Sequence, residues 1–208
     1  MTTKITAVLG DYYHQKKLAV ASLKASVASL DDVEVSYVAV EELVEHLESN
    51  PNIVILFAEN RINPEETDVR RWMDKSAAQA ITDYVNNGGA WLGWHSGMAS
   101  YETIEPYIDM LRGCFTYHPK EHQLVTYESS GLEIGNNIRY QILDEHYFVQ
   151  SDEHNTNVFL KSESIDGISI AGWYHQYGKG RVACFTPAHR EEGLMHPITV
   201  QLLTNCIR

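Results

Sequence analysis

Apolar runs and mixed segments alternate through the first half of the chain. Ile5-Thr6-Ala7-Val8-Leu9-Gly10 reads as a buried strand closed by glycine. From His14 to Leu30, the residues Leu18, Ala21, Ala25, Ala28 and Leu30 fall near helical spacing. Val33 to Val40 alternates as a second strand, and Glu41 to Glu48 reads as a short acidic helix. Asn52-Ile53-Val54-Ile55-Leu56-Phe57 is an unbroken apolar run, as expected for a central parallel strand covered on both faces. The charged stretch Ile62 to Asp74 contains Pro64 and Glu65-Glu66 and reads as a solvated loop, with a lid as the alternative. Ser76 to Val85 is the next helix, and Asn86-Asn87-Gly88-Gly89 stops it. A strand over Ala90 to Trp94 follows, then a helix from about Glu102 to Leu111.

The second half changes period. Residues 123–128, 138–142, 147–149 and 157–161 read as short strands separated by turn residues. Ile168 to Trp173 and Arg181 to Phe185 flank Tyr177-Gly178-Lys179-Gly180, which fits a hairpin turn better than a phosphate loop. Leu194 to Ile207 closes the chain as a helix. Strand-helix alternation followed by hairpins predicts a doubly wound α/β fold, mostly parallel, with an antiparallel extension over 1–208 as a single domain.

One junction stands out. Gly89-Ala90-Trp91-Leu92-Gly93-Trp94-His95-Ser96-Gly97 carries a strand into Gly-x-His-x-Gly. Small residues at such an elbow let the backbone turn sharply and hold one side chain above the sheet. Here that side chain is an imidazole, which binds metals, moves protons or orients substrates. His189 follows the apolar run Val182 to Ala188, so it too stands where a strand gives way to a loop. Ligands of open α/β sheets collect at those carboxyl ends. Seven of the ten histidines lie between His95 and His189, and most of them also fit surface or hydrogen-bonded core positions. Glu191 is a candidate to hold one imidazole in place. Asp144-Glu145-His146-Tyr147 and Ser151-Asp152-Glu153-His154 twice set carboxylates beside imidazoles, a pattern open to acid–base pairs and to solvated turns alike. His118 and His122 stand four apart, but Pro119 and Gly113 argue against the regular helix that would aim both at one metal. Trp94 and Trp173 are candidates to face a cleft.

Charge and cysteine content narrow the partners. The net charge of −12, without a basic cluster, argues against nucleic acid. Cys114, Cys184 and Cys206 form no disulfide pattern, which points to a reducing cytoplasm. The first residues lack a signal peptide, and no apolar run is long enough to span a membrane. A homodimer is the default expectation for such a domain.

The order of several motifs resembles one family. Gly88-Gly89 with Gly93-Trp94-His95-Ser96-Gly97, Gly113-Cys114-Phe115-Thr116-Tyr117-His118-Pro119, Asp144-Glu145-His146-Tyr147, Trp173, Tyr177-Gly178-Lys179-Gly180-Arg181-Val182 and His189 are together similar to the trehalose-utilisation (ThuA-like) family. The resemblance implies a flavodoxin-like three-layer α/β/α sandwich of the class I glutamine amidotransferase-like type. It places His95 where amidotransferases carry a catalytic cysteine, His189 at the catalytic histidine and Glu191 at the glutamate. Glutaminase activity is therefore not expected, and Cys114 and Cys184 read as buried structural thiols. The chain departs from the family pattern at Ser169-Ile170-Ala171-Gly172, which lacks a proline, and at Ala188 in place of glycine. Both positions concern loop shape.

The resulting expectation is a hydrolase or lyase of disaccharide or keto-sugar utilisation, with a non-catalytic sugar- or partner-binding module and a metal-dependent hydrolase of broader specificity as the alternatives. In it His95 is a base or metal ligand, His189 its partner and Glu145 a candidate acid. Trp94, Ser96, His118 and Tyr147 contact the sugar, and Trp173 is a stacking platform. A divalent metal such as zinc is the candidate cofactor.

Overall fold

The computed structural model describes residues 2–129 and 137–208. Five parallel strands form the half of the main sheet that carries the elbow: β1 (Thr3–Leu9), β2 (Val33–Tyr37), β3 (Ile53–Phe57), β4 (Ala90–Trp94) and β11 (Gly180–Phe185). They lie in the order β2-β1-β3-β4-β11, the flavodoxin-like winding. The sheet continues antiparallel through β10 (Gly167–Tyr177), β9 (Asn157–Ser164), β6 (Gln123–Ser129) and β7 (Arg139–Asp144). The nine strands thus join a wound half to a meandering half, as the change of period predicts. A separate pair, β5 (Gly113–Tyr117) with β8 (Phe148–Ser151), covers part of one face.

Two helical layers bury the two faces of this sheet. Helices α1 (Lys16–Val27) and α6 (Pro197–Ile207) pack on one side, around Ile5, Ile55, Leu92 and Leu203. Helices α3 (Lys75–Asn86) and α4 (Glu105–Leu111) cover the other, around Val54, Leu56, Trp91 and Met110. All five residues of β3 are buried, which is why that run carries no polar alternation. Each fully buried Ile, Leu or Phe there stabilises the fold by about 1.5–3 kcal/mol relative to exposure. Asp74 caps α3, its side chain accepting from the Ala77 amide at 2.8 Å.

The boundaries differ from the sequence reading where local chemistry intervenes. The first helix starts at Lys16, because the Asp11 carboxylate turns residues 11–14 into a loop by accepting from the Tyr13 and His14 amides. The acidic stretch after β2 holds only one α turn, α2 (Leu43–His46), between 3-10 turns. The last helix, α6, starts at Pro197 instead of Leu194, because Pro197 needs no amide partner and opens a helix, and a short turn, α5 (Glu191–Leu194), precedes it. The hairpin at Gly178-Lys179 forms as expected, with Tyr177 opposite Gly180. The 62–74 stretch is largely exposed loop. It is fastened by Asn63, whose side chain meets Glu66, Asp68 and Arg70, and by the buried Met73. No helix among the described residues is long and apolar enough to cross a membrane.

Candidate functional site

Strand β4 runs into a 3-10 turn at His95–Met98, and His95 sits at φ +44°. A side chain in this left-handed region costs of order 1 kcal/mol, so the surrounding contacts must hold it there. They come from the neighbouring strand. The Trp94 indole donates to the Pro187 carbonyl at 2.6 Å, and His95 Nδ1 donates to the Thr186 carbonyl at 2.6 Å. Gly97 passes so close to β3 that a Cβ would meet the Leu56 carbonyl oxygen at 2.0 Å, so only glycine fits. The elbow is locked to the ends of β3 and β11, and the His95 ring is fully buried. It stacks on Tyr147, with centroids 4.1 Å apart, and on Phe57 at 5.6 Å.

Four side chains from different segments converge there. His14 follows β1, His95 follows β4, His189 follows β11 and Glu145 follows β7. One nitrogen or oxygen from each lies within 4.8 Å of all the others. Glu145 Oε2 is 3.6 Å from His95 Nε2 and 3.3 Å from His189 Nδ1, while its Oε1 is 3.7 Å from His122 Nε2. His14 Nδ1 is 2.6 Å from Asp11 Oδ1, and that carboxylate also accepts from the Glu59 amide at 2.9 Å. His14 Nε2, His95 Nε2 and His189 Nδ1 are buried, and each lacks a hydrogen-bond partner. The distances from Glu145 are those of ion pairs without hydrogen-bond alignment.

Burial pulls His95 down to about 4, outweighing the Glu145 carboxylate, so its ring is neutral at neutral pH. Burial alone would raise Glu145, but the imidazoles of His189 and His95 hold it well below the usual carboxylate range. Burial acts to lower His189, and Glu145 reverses that and holds it above its ordinary value. Asp144 is fully buried, and this desolvation lifts it to about 7 even though it accepts from the His189 amide at 2.8 Å and the Tyr127 hydroxyl at 3.1 Å. Asp144 therefore anchors the loop after β11 against β7. That contact brings Glu145 and His189 together.

Of the expected residues, His95, His189, Glu145 and Tyr147 meet in one place. Ser96 is fully buried at the elbow. His118 lies exposed at the rim, its ring 5.9 Å from Tyr147. Four expectations are corrected. Trp173 is fully buried with its indole donating to the Leu111 carbonyl at 2.8 Å, so it faces the core and offers no stacking surface. Trp94 is likewise fully buried under the elbow. Glu191 is exposed on α5, and Glu145 takes the place beside His189. Glu145 is also held ionised, which suits a base or a ligand and not an acid. Cys184 is buried as expected, whereas Cys114 is half-buried. None of the three cysteines stands at the elbow.

His14 and Asp11 were missed. The signal was available: Gly10 closes β1 as Gly-x-His-x-Gly closes β4, and the rule that ligands gather at carboxyl ends of strands covers β1 equally. Two clefts of about 530 and 470 Å³ lie at the opposite end of the parallel strands, beside Ile53, Ala90 and Arg181. Their charged lining is Asp31, Lys179, Arg181 and Arg208, whereas the unpartnered buried imidazole nitrogens of His14, His95 and His189 gather at the carboxyl ends, and these mark the candidate site.

A family model described as ThuA, trehalose utilisation, matches residues 6–208. No curated protein matches in sequence. The fold is similar to that of a ThuA-like protein from Parabacteroides merdae ATCC 43184, with a TM-score of 0.75 and 13% identity over 100% of this chain and 89% of that one. It is similar to cytoplasmic protein STM1381 from Salmonella typhimurium LT2, with a TM-score of 0.67 and 14% identity over 97% of each chain. A β-galactosidase from Rahnella sp. R3 contains the same fold within 30% of its length, with a TM-score of 0.66 and 12% identity over 99% of this chain.

Proposed function

This chain belongs to the ThuA family, described as trehalose utilisation, and on that premise we propose that it is an enzyme acting on a glycoside or keto-sugar through His95 and His189. The reading is carried by one observation: buried imidazole nitrogens of His95 and His189 face the Glu145 carboxylate at the carboxyl ends of β4 and β11. Unsatisfied buried polar groups cost about 1–3 kcal/mol each, so their retention points to a role beyond folding. Glu145 is anionic and His95 neutral, a pairing suited to orienting a sugar hydroxyl or polarising a carbonyl, and with no thiol at the elbow the reaction is not thiol-based acyl transfer. Tyr147 shapes one wall by stacking on His95, and His118 at the rim offers a polar contact. The substrate is a small sugar, and the cleavage is hydrolytic or eliminative. The three free cysteines and the likeness to a cytoplasmic protein support a cytoplasmic location.

The test is incubation with a panel of disaccharides, including trehalose, and their keto forms, followed by product analysis. Conversion of at least one member is expected. It should fall about 100-fold or more in His95→Asn and in Glu145→Gln. Binding without conversion across the panel, or unchanged turnover in both variants, contradicts the proposal.

A further inference from the structure

We infer that His14, His95, His189 and Glu145 form a binding site for one divalent cation of the zinc class, with Asp11 and Thr186 orienting two of the imidazoles. The tautomers carry the argument. His14 spends Nδ1–H on the Asp11 carboxylate, and His95 spends Nδ1–H on the Thr186 carbonyl. Each neutral ring then presents a buried Nε2 lone pair with no hydrogen-bond partner, and that of His95 faces the Glu145 carboxylate at 3.6 Å. Lone pairs facing a carboxylate repel unless a proton or a cation lies among them.

The donors also fit a cation in number, kind and spacing. Three imidazole nitrogens with one carboxylate oxygen suit zinc and its neighbours. Ligands about 2.0–2.2 Å from a tetrahedral zinc stand about 3.3–3.6 Å from one another. Glu145 Oε2 lies 3.3 Å from His189 Nδ1 and 3.6 Å from His95 Nε2, and the whole set spans 4.8 Å, so modest inward movement closes the shell. A dication is balanced by the carboxylates of Glu145 and Asp11, which meets the requirement that a buried charge be paired. The Asp11–His14 and Thr186–His95 contacts are the outer-shell bonds that metal-ligating histidines make. The cation site uses the same cluster as the carbohydrate reading, but its test measures binding alone. Either can fail while the other stands.

Full-length protein made without an affinity tag and stripped by chelator is titrated with zinc chloride in a calorimeter. Uptake of one equivalent per chain is expected. Cobalt(II) should give visible absorption of four-coordinate intensity. His14→Ala, His95→Asn and Glu145→Gln should each weaken zinc binding by about a hundredfold or more. Asp11→Asn keeps all four ligands and should weaken it by about ten- to a hundred-fold. That variant gives an independent reading where a ligand substitution fails to fold. His154→Ala, at an exposed turn, should bind as the parent does. Absence of uptake, or affinity in folded ligand variants and Asp11→Asn within about threefold of the parent, overturns the inference.

Discussion

Glu145 Oε2 stands 3.6 Å from His95 Nε2, and the two residues reach one another from opposite halves of the sheet. His95 closes the parallel half, at the end of β4. Glu145 follows β7, the last strand of the antiparallel half. The contact forms because Asp144 ties the end of β7 to the His189 amide, and because β11 pairs directly with β4. The antiparallel extension thus supplies the only carboxylate of the four-residue cluster.

The two glycines of the elbow are expected to behave differently. A Cβ on Gly93 meets only ordinary contacts, the nearest being Met98 Cγ at 3.5 Å, whereas one on Gly97 meets the Leu56 carbonyl oxygen at 2.0 Å. Gly93→Ala should change stability by less than about 1 kcal/mol. Gly97→Ala should destabilise by about 3 kcal/mol or more, since backbone must move. Chemical denaturation of the two variants checks this, and equal effects would contradict the close approach of β3.

Trp173→Phe separates core packing from sugar contact. The substitution removes the bond to the Leu111 carbonyl in a fully buried position and should cost about 1–3 kcal/mol. Apparent KM for any sugar turned over should stay within about twofold, because the indole does not reach the site. A selective rise in KM would restore Trp173 as a stacking platform.

His175 sets an acid dependence of stability. Burial lowers it from 6.5 to about 4, despite the hydrogen bond to the Met110 carbonyl. The unfolded chain therefore binds the extra proton between these values, so stability is full above pH 6.5 and falls as pH drops toward 4. His175→Gln should flatten that fall by an amount on the order of 2 kcal/mol. Urea denaturation of parent and variant across pH 4–7 reads it. Parallel curves would show that His175 is not the group responsible.

The parallel half of the fold was legible because buried strands there are continuous apolar runs and glycines mark their ends. His95 and His189 were legible for the same reason, each following such a run. The β5–β8 pair is only half visible in the sequence, which predicts a strand near β8 and none at β5. Its chain segments are short and half-exposed, so neither periodicity nor length distinguishes them. The sequence offers both Glu145 and Glu191, and proximity along the chain favours Glu191 as the partner of His189. Asp144 reverses that choice by a contact that depends on how β7 folds back, which no local pattern encodes. His14 looks like a helix start in the sequence because an Asx turn at Asp11 and a helix terminus share the same residue types.

The central claim is that His14, His95, His189 and Glu145 act as one centre. Crystals soaked in zinc and measured on both sides of the zinc absorption edge test it most directly. The account predicts one strong anomalous peak about 2.0–2.2 Å from His14 Nε2, His95 Nε2, His189 Nδ1 and a Glu145 oxygen. A map with no peak there, or with zinc only on the outer imidazoles of His118 and His122, would contradict it.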